Sequence, residues 1–198
     1  MTHFFVRTLL TLAVAALSPV AHANLVTNGG FETGNFSGWV TTPAASNSLF
    51  LVTNNFPQAG AFYATFGAQG ATLDSISQML VTSPGASYDI SFWLRVDGGQ
   101  PPNNSFEFNW DGGVAELSLS NTPTQAYTQY TYTLTATTAS TALSFGARNR
   151  PSFSRLDTIV VTELNAATVP EPTSLALVGI AALGAAASVR RTRKVKGA

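Results

Sequence analysis

Both histidines of this 198-residue chain, His3 and His22, fall within its first 23 residues, and cysteine is absent. The stretch from Asn24 to Val169 therefore lacks the groups for Ser-His-Asp or Cys-His nucleophilic catalysis and for ordinary zinc ligation. What remains is carboxylate, hydroxyl, amide, guanidinium and aromatic chemistry. Glu107, Asp111 and Glu116 lie close together in sequence. A glycosidase works with such a carboxylate pair, but the same acids also suit the solvent-facing side of one hairpin. Trp93 alternates onto the polar face of its segment with Asp89 and Arg95. There an indole could stack on a sugar ring while the charged groups read its hydroxyls; a covering layer or loop would instead make Trp93 a packing residue. Arg148-Asn149-Arg150 reads as a loop able to make polar contacts to a ligand, or as a solvated charge cluster. Trp110 shares its face with Phe106 and Phe108 and reads as core, and Trp39 as packing.

Charge narrows the partners. The chain has ten basic and ten acidic residues. Half of the basic ones, Arg190, Arg191, Arg193, Lys194 and Lys196, sit in the last nine positions. Between Asn24 and Val169 there are four arginines (Arg95, Arg148, Arg150, Arg155) against nine acids, so this stretch is five units negative and has no lysine. Nucleic-acid binding draws on clustered Lys and Arg, so nucleic acid is not an expected partner.

The elements that position these groups are strands. In Ser87–Val96, Tyr88, Ile90, Phe92, Leu94 and Val96 alternate with Asp89, Ser91, Trp93 and Arg95. That is the period of a half-buried strand. Ser83-Pro84-Gly85 and Asp97-Gly98-Gly99 bound it as turns. Ser105–Trp110 alternates likewise, and Asp111-Gly112-Gly113 predicts a hairpin into Val114–Leu119. Further strands are predicted at Gln129–Thr137, Thr141–Ala147 and Leu156–Leu164, with weaker signals at Ser48–Thr53 and Ala61–Phe66. Turns recur every 8–12 residues or so, the spacing of an all-β sandwich or barrel. The expected fold class is an antiparallel β-sandwich over residues 24–165, sufficient without disulfides, since a domain of about 145 residues buries roughly two-thirds of its unfolded surface.

The two ends read as addresses. In residues 1–23 a basic start, the apolar run Leu9–Leu17 and Ala21-His22-Ala23 make a signal peptide cleaved between Ala23 and Asn24. The apolar run is too short to span a bilayer. At the other end, residues 166–198 form a tail. Pro170-Glu171-Pro172 precedes Thr173–Val189, a chargeless stretch predicted to be a transmembrane helix of about 26 Å. The basic end 190–196 would stay cytoplasmic.

That three-part tail resembles the PEP-CTERM sorting signal of Gram-negative bacteria. The resemblance implies recognition of Pro170, Glu171 and Pro172 by an exosortase-type enzyme, transient anchoring in the inner membrane, and delivery to the cell surface or extracellular matrix. It also implies association with extracellular polysaccharide and biofilm. A plain membrane anchor is the other reading of the tail.

The opening Asn24-Leu25-Val26-Thr27-Asn28-Gly29-Gly30-Phe31-Glu32-Thr33-Gly34, with Trp39, looks like the first strand of jelly-roll carbohydrate-binding modules of the galactose-binding-like group. Arg155–Val161 looks like that group's closing strand. The resemblance implies a structural calcium joining the two ends, with a Gly30 carbonyl and the carboxylates of Glu32 and Asp157 as ligands. That closing strand often carries two consecutive acids; here Thr158 takes the second place. Without calcium, Glu32 and Asp157 would cap turns or pair with Arg155.

Taken together, the sequence predicts an exported, non-catalytic cell-surface or matrix protein that binds polysaccharide through Trp93, Arg95, Arg148 and Asn149. A purely structural matrix component and a small glycosidase are the alternatives.

Overall fold

The computed structural model of the chain describes residues 23–45, 48–98 and 103–164. The signal segment up to His22 and the tail, with its Pro-Glu-Pro motif, apolar stretch and basic end, lie outside the described residues.

Ten strands form two antiparallel five-stranded sheets. In chain order they are β1 (Val40–Thr42), β2 (Leu51–Thr53), β3 (Tyr63–Phe66), β4 (Asp74–Val81), β5 (Ser87–Val96), β6 (Asn104–Trp110), β7 (Leu117–Ser120), β8 (Gln125–Thr135), β9 (Ser140–Asn149) and β10 (Ser154–Glu163). The first sheet runs β1-β4-β9-β6-β7 and the second β2-β3-β10-β5-β8. No helix occurs among the described residues.

Alternation drives this architecture. β5 occupies Ser87–Val96 as its pattern predicts, with Tyr88, Ile90, Phe92, Leu94 and Val96 all buried. β6 turns Phe106, Phe108 and Trp110 onto the same core from the facing sheet. The ring of Phe92 lies 5.2 Å from Phe108, 5.0 Å from Phe145 and 5.5 Å from Tyr130. Trp110 donates its indole N–H to Thr135 O at 3.2 Å, and Trp39 donates to Asn28 O at 3.2 Å. Both are buried packing residues, as read. Among the described residues the buried apolar core runs from Val26 to Val161 and draws on both sheets.

The structure adds β1 and β4 to the predicted strands. β4 escaped the pattern because its inward positions include Asp74 and Gln78. Both are satisfied by hydrogen bonds: Asp74 accepts from Ala44 N and Ser48 Oγ, and Gln78 bonds Thr27 and Gly38. Its outward face carries Met79 and Val81, 62% and 84% exposed. Core-facing polar groups and exposed apolar ones scramble the hydrophobic alternation.

The opening segment is also corrected. Asn24–Gly34 is a chain of turns, not a strand. Asn28, Phe31 and Gly34 have φ of 54°, 58° and 73°, and left-handed residues cannot continue a ladder. The segment is tied to β10 by Leu25 N to Val161 O and Ile159 N to Gly29 O, both 2.9 Å.

Candidate functional site

Trp93 stands on the outer face of the second sheet, half-buried, with Gln129 of β8 on one side and Asp157 of β10 on the other. Along the same face, Asp89 and Ser91 of β5, Gln129, Thr131 and Thr133 of β8, and Val160 and Thr162 of β10 line an open trough of about 430 Å³. The period-2 pleat aims these side chains outward while their neighbours fill the core. Asp89 Oδ1 accepts from the Thr133 hydroxyl at 2.8 Å. The trough thus offers a carboxylate, an amide and several hydroxyls, with Trp93 on the strand that floors it.

Beyond Trp93 the face is occupied by an ion-paired cluster. Arg95 shares it, but its Nε is bonded to Asp97 Oδ1 at 2.7 Å. This hydrogen bond holds the guanidinium's pKa above its ordinary value. Asp97 also takes Arg155 Nε at 2.5 Å. Arg155 in turn donates to Tyr63 Oη at 2.9 Å and lies 4.8 Å from the Phe56 ring centre. Phe56, 57% exposed, borders a second, apolar cleft of about 200 Å³ with Leu49, Leu51, Tyr63 and Phe153. Tyr127 donates its hydroxyl to Phe56 O at 3.1 Å, and burial pushes its pKa up.

Two predicted ligand contacts do not belong to this face. Arg148 and Asn149 end β9 rather than forming a loop. Arg148 pairs across with Ser105 in the first sheet and donates to Asn103 Oδ1 at 2.6 Å, so the structure does not bring it to Trp93. Asn149 is 1% exposed and spends its Nδ2 on Asp97 O at 3.0 Å. It is an internal brace, because the strand continues to a position that points inward.

The carboxylates of the β6–β7 hairpin are also in the first sheet. Glu107 is half-buried opposite Ser118, Glu116 is exposed, and Asp111 accepts a hydrogen bond from the Thr137 hydroxyl.

Gly30, Glu32 and Asp157 do converge. A β-carbon at Gly30 would stand 3.9 Å from Glu32 Oε1 and 4.0 Å from Asp157 Oδ1. Glu32 accepts from Ala61 N and Phe62 N. Asp157 accepts from Gln58 N at 2.7 Å, Ala59 N at 3.3 Å and Thr158 N at 2.6 Å. Asp157 is fully buried, and burial raises its pKa despite those amides. A buried carboxylate beside a second one fits a hard cation, which takes six to eight oxygens. Among the described residues no cluster of three or more acidic groups occurs, so backbone carbonyls would complete such a shell.

Residues 23–147 match the carbohydrate binding domain family CBM_4_9. The chain belongs to that family. Residues 168–191 of this carbohydrate-binding protein match the PEP-CTERM protein-sorting motif, the address of an exported protein. No curated protein matches it. Among solved structures, the domain resembles TmCBM61 in complex with β-1,4-galactotriose, at 17% identity and a TM-score of 0.52, over 72% of this chain and 99% of that one. It also resembles the CBM22-1 xylan-binding domain of Paenibacillus barcinonensis, at 17% identity and 0.52, over 76% and 100%. The enzymatically active domain of tailspike protein 4 from bacteriophage CBA120 aligns at 13% identity and a TM-score of 0.53, over 71% of this chain but only 21% of that one. At these identities the likenesses establish the fold: a sandwich of the carbohydrate-binding-module type.

The family and the motif together make this an exported protein with a carbohydrate-binding domain. Sequence reasoning missed the contributions of β8 and β10 to the trough, and the Phe56 cleft. The alternating Gln129, Thr131 and Thr133 were legible as one strand face; which strand lay beside them was not.

Proposed function

We propose that the mature protein holds polysaccharide chains, without cleaving them, in the trough of its second sheet, with Trp93 stacking on a sugar ring. The observation that carries this reading is a partly exposed indole on the strand that floors a trough of hydroxyl, amide and carboxylate groups. Sugar recognition combines a flat apolar surface with a few placed polar groups. Non-catalytic action is supported by the absence of histidine and cysteine after residue 23, and by the separation of the Glu107, Asp111 and Glu116 hairpin from this face.

Processing at Pro170-Glu171-Pro172 by an exosortase-type enzyme, after transient anchoring through 173–189, would deliver the domain to the cell surface or matrix. Domain limits of 24–165 and 166–198 follow from that scheme. A calcium ion held by Glu32, Asp157 and the Gly30 carbonyl would tie the opening segment to the closing strand; it would supply charge compensation and rigidity, not chemistry.

The test is a glycan array and affinity electrophoresis with residues 24–165. Retention by one or more neutral polysaccharides, without release of reducing ends, supports the reading. Binding to none favours the purely structural matrix component; released sugar favours a glycosidase.

A further inference from the structure

We infer that β8 is an assembly edge, on which a second copy of this chain pairs antiparallel about a two-fold axis at Thr131. The four sheet edges differ sharply. β1 and β2 have three residues each and β7 has four, whereas β8 has eleven. Short edges are one way natural sheets avoid pairing with other chains; charges, proline and bulges are others. β8 contains no charged residue and no proline. The charge-free stretch runs from Leu117 to Ala147, so its neighbours in sequence add no charge either. The register shift opposite Leu94 and Val96 lies at its beginning, leaving Thr128–Thr135 in regular pairing with β5. In such a ladder half of the backbone N–H and C=O groups point away from the partner strand.

The occupant is indicated by self-complementarity. Centred on Thr131, an antiparallel copy sets Thr131 opposite Thr131, Tyr130 opposite Tyr132, Gln129 opposite Thr133 and Thr128 opposite Leu134. The rings of Tyr130 and Tyr132 already lie parallel to Phe92 at 5.5 and 6.3 Å, yet both are only half-buried at the rim of the core. A second copy closes that rim with matching rings, and cross-strand aromatic pairs are among the favourable ones. On the outer face every opposed residue is a hydroxyl or amide, with no like charges to oppose it. The isologous contact closes as a dimer. Because the axis runs perpendicular to the sheet, the two outer faces, each with its trough, become one surface. A glycan long enough to cover both then binds with avidity.

The experiment uses residues 24–165, which hold all ten described strands and the core between their two sheets. Sedimentation velocity over a concentration series should show a dimer for the wild type and a monomer for Thr131→Lys, and the two should melt alike at dilutions where the wild type is itself monomeric, since association stabilises the folded state by mass action. Where Thr131→Lys melts lower, Gln129→Lys on the same exposed face takes its place. The chain has no cysteine, so Thr131→Cys reports the register. At the axis the two residues are close enough for a disulfide, and mild oxidation should give a covalent dimer far faster than for Val114→Cys, at a 90% exposed turn position. A wild type that stays monomeric, a lysine variant that still dimerises, or equal cross-linking of the two cysteine variants overturns the proposal.

Discussion

Trp93 and Asp157 are register partners on adjacent strands, yet the indole reaches solvent while the carboxylate is fully buried. The difference is the segment carrying Gln58 and Ala59, which folds over β10 and donates two backbone N–H groups to Asp157 Oδ2. One end of the sheet face is sealed around a carboxylate, and the other is left open as a trough. The proposed sugar trough and the tie between the opening segment and β10 therefore adjoin without sharing groups.

Trp93→Ala should weaken binding of a retained polysaccharide about tenfold or more, equivalent to roughly 1.4 kcal/mol, measured by affinity electrophoresis or calorimetry. Trp93 is largely buried, so the variant also melts somewhat lower, and binding is compared at a temperature where both proteins are folded. A variant that binds as well as the wild type would remove the indole from the site.

Calcium should raise the melting temperature of residues 24–165, and a chelator should lower it. An ion that binds only the folded state adds about 2.7 kcal/mol at a hundredfold excess over Kd, a shift of very roughly 5–10 °C for a domain of this size. The Asp157→Ala variant should show no such response in differential scanning calorimetry. Identical wild-type melts with and without chelator would show that amide donors alone hold Asp157.

Gly29→Ala should destabilise the domain by about 1–3 kcal/mol, the usual cost of overpacking, read as a lower denaturant midpoint. Its β-carbon would stand 2.1 Å from Ile159 O, which cannot yield without parting the opening segment from β10. Gly113→Ala, with nothing within 4 Å of the new carbon, should stay within about 0.5 kcal/mol of the wild type. Equal midpoints for the two variants would contradict this packing.

Glu171→Ala should leave full-length, signal-cleaved protein in the membrane fraction, with Asn24 at its N-terminus by mass spectrometry. Unchanged release to the surface would reduce the tail to a plain anchor.

Much of this protein was legible in one dimension. β5 and β6 announce themselves because each buries one face only, and a pleat with one buried face writes its period into the side chains. The loss of His and Cys after residue 23 and the Pro-Glu-Pro tail are likewise facts of composition and order. Gly30, Glu32 and Asp157, the last some 125 residues further along the chain, came together through their resemblance to a known family, not through any local pattern. β4 stayed hidden because its core-facing Asp74 and Gln78 are hydrogen-bonded rather than apolar. Asn149 was misplaced because the strand ran two residues past its last apolar position. The trough depends on register: Trp93 is paired with Gln129 and Asp157 by the alignment of β5 with β8 and β10, and a slip of one residue would turn those side chains to the other face. Which faces stay open, which edge stays long and which carboxylate is sealed are set by contacts between residues distant in sequence, so only the tertiary structure decided them.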